Sequence, residues 1–224
     1  QPRLERMQSE AREAKAEAVR HTRLERVPIS IGIGETIGHA KVSEAVERFR
    51  QRVPQAEIEL IVDANDTLLA GLREGEFDLV ISTVEVSEEL YRIDPLYQEA
   101  YRVVVAKGHP LSELPAVSLA DLADTTMLDR PNCEMREALH GACTDHGHTL
   151  YAAYRSNRVD WLVELARRGS GAVILPETSI PDHDNLVSLP IADMEIARDV
   201  AALRFRHQAS RSETNELVRE FSRN

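Results

Sequence analysis

Hydrophobic positions between Val27 and Ser82 switch twice between a period of two and a period near 3.6. Val27–Gly34 (VPISIGIG) reads as a strand and runs into a helix over Thr36–Arg52. Val42, Ala45, Val46 and Phe49 give that helix one apolar face. Glu57–Asp63 is a second strand, followed by a helix with Leu68, Leu69 and Leu72 inward and Gly75 as its left-handed stop. Asn65 or Asp66 is placed to cap it. Phe77–Ser82 (FDLVIS) closes the set. Strands alternating with helices imply a parallel sheet covered on both faces, with ligands at the carboxyl ends of the strands. Those ends carry Gly34-Glu35-Thr36-Ile37-Gly38 and Asp63-Ala64-Asn65-Asp66.

The pattern repeats further on. Glu88–Leu96 reads as extended, Glu99–Lys107 as a stronger strand, Ser118–Asp124 as a short helix and Thr126–Asp129 as a short strand. A helix follows over about Cys133–His146, then a strand at Leu150–Tyr154 and a helix at Val159–Arg168. Gly171–Leu175 is a strand that Pro176 breaks, and Asn185–Leu189 and Asp199–Phe205 are strands. Ser210 and Glu213 form a capping box for the last helix, which buries Leu217, Val218 and Phe221. The fold class expected is α/β: two Rossmann-like lobes joined by two crossing strands, preceded by a long helix. The strand near 99–107 leads out of the first lobe and that near 199–205 leads back, which makes a hinge with a cleft. The boundaries expected are 1–26 for a linker and dimerisation helix, 27–105 with 200–224 for the first lobe, and 106–199 for the second.

Residues 1–26 differ from the rest. They are dense in Ala, Glu, Arg and Lys, with Leu4, Met7, Ala11, Ala14 and Ala18 at alternating spacings of three and four, a coiled-coil seam. A seam mostly of alanine buries little area, so the segment reads either as a solvated helix or as a weak dimerising one.

Charge then narrows the partners. The net charge is −11, yet residues 1–26 hold seven Lys/Arg against five Asp/Glu. Most of the chain should therefore repel nucleic acid. No apolar run approaches the ~20 residues that span a bilayer, and the charged N-terminus is unlike a signal peptide. With two cysteines, a cytoplasmic setting is expected. Enzyme motifs are missing: there is no GxSxG, GxxxxGK[ST] or HExxH, and Gly32-Ile33-Gly34 lacks the third glycine of a dinucleotide fingerprint. No enzyme activity and no cofactor are expected. An exported solute-binding protein of the same fold is the competing reading, and the charged first helix argues against it.

Three stretches together resemble the effector-binding domain of LysR-type transcriptional regulators. They are Leu68–Ser82 (LLAGLREGEFDLVIS), Pro95–Glu113 (PLYQEAYRVVVAKGHPLSE) and Leu162–Glu177 (LVELARRGSGAVILPE), with Asn185–Pro190 following. The resemblance covers roughly 27–224, and residues 1–26 resemble the family's linker helix. It implies a periplasmic-binding-protein-like fold, a small-molecule inducer between the lobes, a homodimer or homotetramer, and control of transcription. The family's winged helix-turn-helix is not among these residues, so DNA contact is expected through a segment preceding them.

The resemblance also carries site residues onto this chain: Glu35 and Thr36, Asn65 and Asp66, Asn132 and Cys133, and Asn157, with Gly34 and Pro176 beside them. Helix N-termini suit a carboxylate. Arg130, Arg155 and Arg158 stand near the same helix starts and could pair with an anion, whereas Glu35 and Asp66 favour an amine or hydroxyl. Capping alone also explains Thr36, Asn65, Asn132 and Asn157, and surface charge explains the arginines.

Cys133 and Cys143 are the redox candidates, since the family's peroxide-sensing branch resembles this region with a cysteine pair. Here nine residues separate the two, one more than in that pattern, and Asn132 replaces the expected histidine. Ten helical positions span ~15 Å, and a disulfide needs Cα atoms within ~7 Å. Cys133 at a helix start would be reactive. His140, Cys143 and His146 match no zinc spacing, so no metal is expected. Trp161, the single tryptophan, reads as a lobe-core or subunit-interface residue.

Overall fold

The computed structural model describes residues 26–83, 86–209 and 211–223. The proposed seam of residues 1–26 falls almost wholly outside that range. Two compact units emerge: one runs to Gln98 and resumes at Asp199, and the other is Glu99–Arg198.

In the first unit β1 (Val27–Gly34) pairs in parallel with β2 (Ala56–Asp63) and β3 (Leu79–Ser82). Antiparallel β9 (Ala197–Phe205) lies on the far side of β3. The alternation of β1 sorts its side chains. Ile29, Ile31 and Ile33 join the core formed with α1 (His39–Arg52) and α6 (Ser212–Phe221), which includes Phe49 and Leu217. On the opposite face, α2 (Asn65–Glu74) packs Leu68 and Leu72 with Phe77, Val80 and Leu203. Gly32 lets α2 approach, because a Cβ there would stand 2.9 Å from Val80 Cγ2 and 3.0 Å from Leu68 Cδ2. Gly75 stops α2 as expected, at φ 74°.

Three helix starts differ from the sequence expectation. The first helix begins at His39, because Thr36–Gly38 form a turn in which the Ile37 amide donates to Gly34 O at 2.9 Å. Asn65 is the first residue inside α2, not its cap. Arg211 precedes α6 without a side-chain cap, and Ser210 lies outside the described residues.

The second unit centres on β4 (Tyr91–Ala106), a strand of 16 residues. It merges the two extended segments read from sequence, since exposed Pro95 does not interrupt it. β4 pairs antiparallel with β7 (Val173–Pro176) and β8 (Leu186–Leu189), and Val103 has partners on both sides. β5 (Thr126–Asp129) pairs in parallel with β6 (Tyr151–Arg155) and bridges to Ala172. Gly171 permits that bridge, because a Cβ there would meet Thr126 O at 2.2 Å. Three helices cover these strands: α3 (Leu119–Ala123), α4 (Arg136–Asp145) and α5 (Val159–Arg167). β4 and β9 each run from one unit into the other, and they pair with each other.

Candidate functional site

At the carboxyl ends of β1 and β3, the first unit gathers small and polar groups. Thr36 is buried and Ser82 wholly so. The Ser82 hydroxyl donates to Asn65 Oδ1 at 2.8 Å. A Cβ on Gly34 would come 3.2 Å from that same Oδ1. Neither α1 nor α2 has a side-chain cap; their N-cap positions are Gly38 and Ala64. Capping therefore does not explain Thr36 or Asn65. Gly34, Thr36, Asn65 and Ser82 form one polar cradle, with half-buried Glu35 and exposed Asp66 at its margin. The sequence reading passed over Ser82. Its signal was its place as the last residue of an apolar strand ending at the same edge as Gly34.

In the second unit the candidate residues fall on three segments. Asn132 and Cys133 lie in the loop between β5 and α4, and Asn157 lies just before α5. The N-cap positions are Met135 and Arg158, neither with a side-chain cap bond, so Asn132 and Asn157 are not caps either. Pro176 is buried at the end of β7, paired with Tyr101 rather than breaking the strand early. Arg155 and Arg136 both pair with Asp129, at 3.4 and 3.1 Å. Arg158 is held by Asp160 at 2.6 Å. Only Arg130 among the expected arginines is buried.

Arg130 leads to a charge network that the sequence reading missed. Its Nη2 donates to Glu134 at 2.5 Å. Arg198 donates from Nη1 to the other oxygen of Glu134 at 2.5 Å, and from Nε and Nη2 to Glu99 Oε1 at 2.9 and 2.7 Å. Glu99 also accepts from the Thr178 amide and hydroxyl, at 2.9 and 2.6 Å. Arg198 stacks on the Tyr101 ring, 5.6 Å from its centroid. Burial pushes the Glu134 carboxyl up, but the Tyr101 phenol, its own backbone amide and the charges of Arg130 and Arg198 together outweigh it and hold the group at about 2. Burial pushes the Tyr101 phenol up as well, and there it prevails and leaves the group well above its ordinary value. The network ties the loop bearing Asn132 and Cys133 to both strands that run between the units.

Cys133 sits in a turn three residues before α4, not on the helix start expected. Its thiol is half-buried, whereas Cys143 is fully buried in the core under α4 and burial pushes its pKa up. Among the described residues no His, Cys, Asp and Glu cluster could hold a metal. Trp161 is not a core residue: it is 62% exposed on α5. No helix among the described residues is long and apolar enough to cross a membrane.

Comparison with known proteins agrees with this architecture. The regulator OxyR of Escherichia coli K12, a DNA-binding transcriptional dual regulator, is 28% identical over 178 residues. That match covers 77% of this chain and 58% of the relative, so the chain spans little more than half of that protein. The reduced form of OxyR superposes with a TM-score of 0.72 at 25% identity, covering 88% of this chain and 95% of that one. The effector-binding domain of QuiR, solved with shikimate, gives 0.75 at 20% identity, covering 89% and 97%. Residues 22–224 match the family described as the LysR substrate binding domain, and the chain belongs to it.

Proposed function

We propose that this chain is the sensing part of a transcriptional regulator. A small molecule is held in the first unit by Gly34, Glu35, Thr36, Asn65 and Asp66, and Arg130, Asn132, Cys133, Asn157 and Pro176 are the candidate contacts within the second unit. The carrying observation is the polar cradle at the β1 and β3 ends, where buried Thr36 and Ser82 and the half-buried Asn65 gather without capping a helix. A bound ligand shifts the protein only if it favours one arrangement over another. DNA is contacted by a segment outside these residues, and the −11 net charge agrees with that division.

The protein works in the cytoplasm as a homodimer or homotetramer, without enzyme activity. Large apolar side chains stand in water on edge strand β2 (Leu60, Ile61, Val62) and in the second unit (Tyr151, Tyr154, Trp161). Such clusters mark protein contact surfaces.

A thermal-shift screen of metabolites tests the reading. A hit should lose at least tenfold in affinity with Thr36→Val and with Asn65→Ala. Unchanged affinity in both variants would refute the cradle as the site. A second reading, peroxide sensing through Cys133 and Cys143, is favoured by the half-buried Cys133 thiol and opposed by the full burial of Cys143. Mass spectrometry after peroxide treatment separates the two readings: a Cys133–Cys143 disulfide supports sensing by oxidation.

A further inference from the structure

Beneath α4 the second unit has a pocket open to solvent on one side, with about 510 Å³ of empty space when the solvent at its mouth is included. Its walls are apolar: Met127, Met135, Leu139, Leu150, Ile174 and Ile196, with Cys133 at one side. Every one of these residues belongs to the second unit, so the cavity is complete without the first. Methionines at two positions let the wall adapt to different shapes.

The polar groups at the wall are unequally satisfied. Asp129 is held by Arg136 and by Arg155. Arg130 is only 5% exposed, and its Nη2 is engaged by Glu134, yet its Nε is buried with no hydrogen-bond partner. A buried cationic N–H without an acceptor is costly. Around this point Arg130, Arg136, Arg155 and Arg198 stand against Asp129, Glu134, Glu137 and Glu99, so the charges balance and the unsatisfied Arg130 donor is what distinguishes the site.

We propose that this cavity is a binding site for a small monocarboxylic acid with a compact apolar body. The body lodges among Met127, Leu139, Leu150 and Ile174. The carboxylate accepts from Nε of Arg130 and satisfies that donor while Glu134 keeps Nη2. A neutral ligand of the same shape would fill the cavity without offering Arg130 Nε a charged acceptor. The proposal rests on the effector reading for its consequence in regulation, and on the cavity alone for binding.

Benzoate and its neutral counterpart benzamide are the probes, titrated into the whole chain by calorimetry. Alkylation of Cys133 by iodoacetamide is followed by mass spectrometry, with buried Cys143 as the internal control. Benzoate should bind saturably and slow Cys133 alkylation in step with occupancy. Benzamide should bind about tenfold more weakly, the loss of one charge-assisted hydrogen bond. Ala152→Leu, which extends a side chain of the cavity wall, should abolish binding and protection. Met135→Trp is a second plug at the helix start, should the first variant misfold. Thr36→Val should change neither. Absence of benzoate binding, equal affinity for benzamide, or binding unaffected by a folded plug variant would overturn the proposal. Binding lost in Thr36→Val but kept in Ala152→Leu would also overturn it, while leaving the cradle reading standing.

Discussion

Replacing Arg198 by methionine should be among the most damaging single changes in the second unit. Methionine keeps most of the apolar stem against Tyr101 and removes only the guanidinium. Arg198 and Glu99 have side chains 4% and 3% exposed. Without Arg198, Glu99 Oε1 loses its bonds from Nε and Nη2 while Oε2 keeps those from Thr178. Stranding one member of a buried pair costs about 3–5 kcal/mol. For a chain of this size that corresponds to a fall of about 6–20 °C in Tm. Glu99→Gln should cost less, about 1–3 kcal/mol, because Arg198 retains Glu134 and the new amide is neutral. The double variant should cost less than the sum of the two, since the stranded charge is then gone. Urea unfolding of all four proteins, at low and high salt, gives the cycle. The buried pair should be nearly insensitive to salt. A cost under about 1 kcal/mol for Arg198→Met, or strict additivity, would refute the assignment of the network as a buried coupled unit.

Glu134 supplies a pH test. Its folded carboxyl is held at about 2 against an ordinary 4.5, so its stabilising contribution is present above 4.5 and is lost as pH falls towards 2. The stability gap between the wild type and Glu134→Gln should therefore narrow over that window in acid unfolding titrations; a gap constant with pH would contradict it. Gly32→Ala should destabilise by about 1–3 kcal/mol by pushing α2 from the sheet, read by thermal unfolding, with Leu68→Ala in the same chain relieving part of the loss. Phe49→Ala empties the core between β1 and α1 and should cost about 3–5 kcal/mol, measured by urea unfolding; a change under 1 kcal/mol would mean that the core collapses around the gap.

Element types were legible in the sequence because each has one clear period. β1 carries Ile29, Ile31 and Ile33 in alternation, and α1 carries Val42, Ala45 and Phe49 at helical spacing. Helix starts were less legible, since a polar residue near a start looks like a cap whether or not it bonds there. The buried charge network was present in the sequence as an anomaly of phase. Glu99 alternates with Tyr101, Val103 and Val105 on the buried face of β4, and Arg198 alternates with Ile196, Val200 and Ala202. A charge in register with core positions on two strands is a sign of a buried pair. Arg204 of β9 repeats the sign within the first unit, where it donates to Asp94 of β4 at 2.5 Å. What no single-strand pattern could give was the partner, because Glu99 and Arg198 are far apart in the chain and meet only once β4 and β9 are both placed.

The helix starts also separate structural from functional polar residues. α3 has a complete capping box, Ser118 with Asp121, and no candidate residue beside it. α1, α2, α4 and α5 have no side-chain cap, and a small neutral polar residue stands near each start: Thr36, Asn132 and Asn157 before α1, α4 and α5, and Asn65 as the first residue of α2. A side-chain cap is worth about 1 kcal/mol, and these four helices and α6 forgo it. A missing cap alone does not define a ligand contact, as α6 shows. Its start carries Arg211, paired with Asp78 at 2.9 Å, and that of α5 carries Arg158, held by Asp160 at 2.6 Å, so both positions are closed by ion pairs within the fold. At Asn65 the alternative is visible: its Oδ1 accepts from the Ser82 hydroxyl at 2.8 Å, across the strand ends beside Gly34. Under the proposed function, the starts of α1 and α2 go without a side-chain cap because a bound small molecule would supply the acceptor for their first backbone N–H groups.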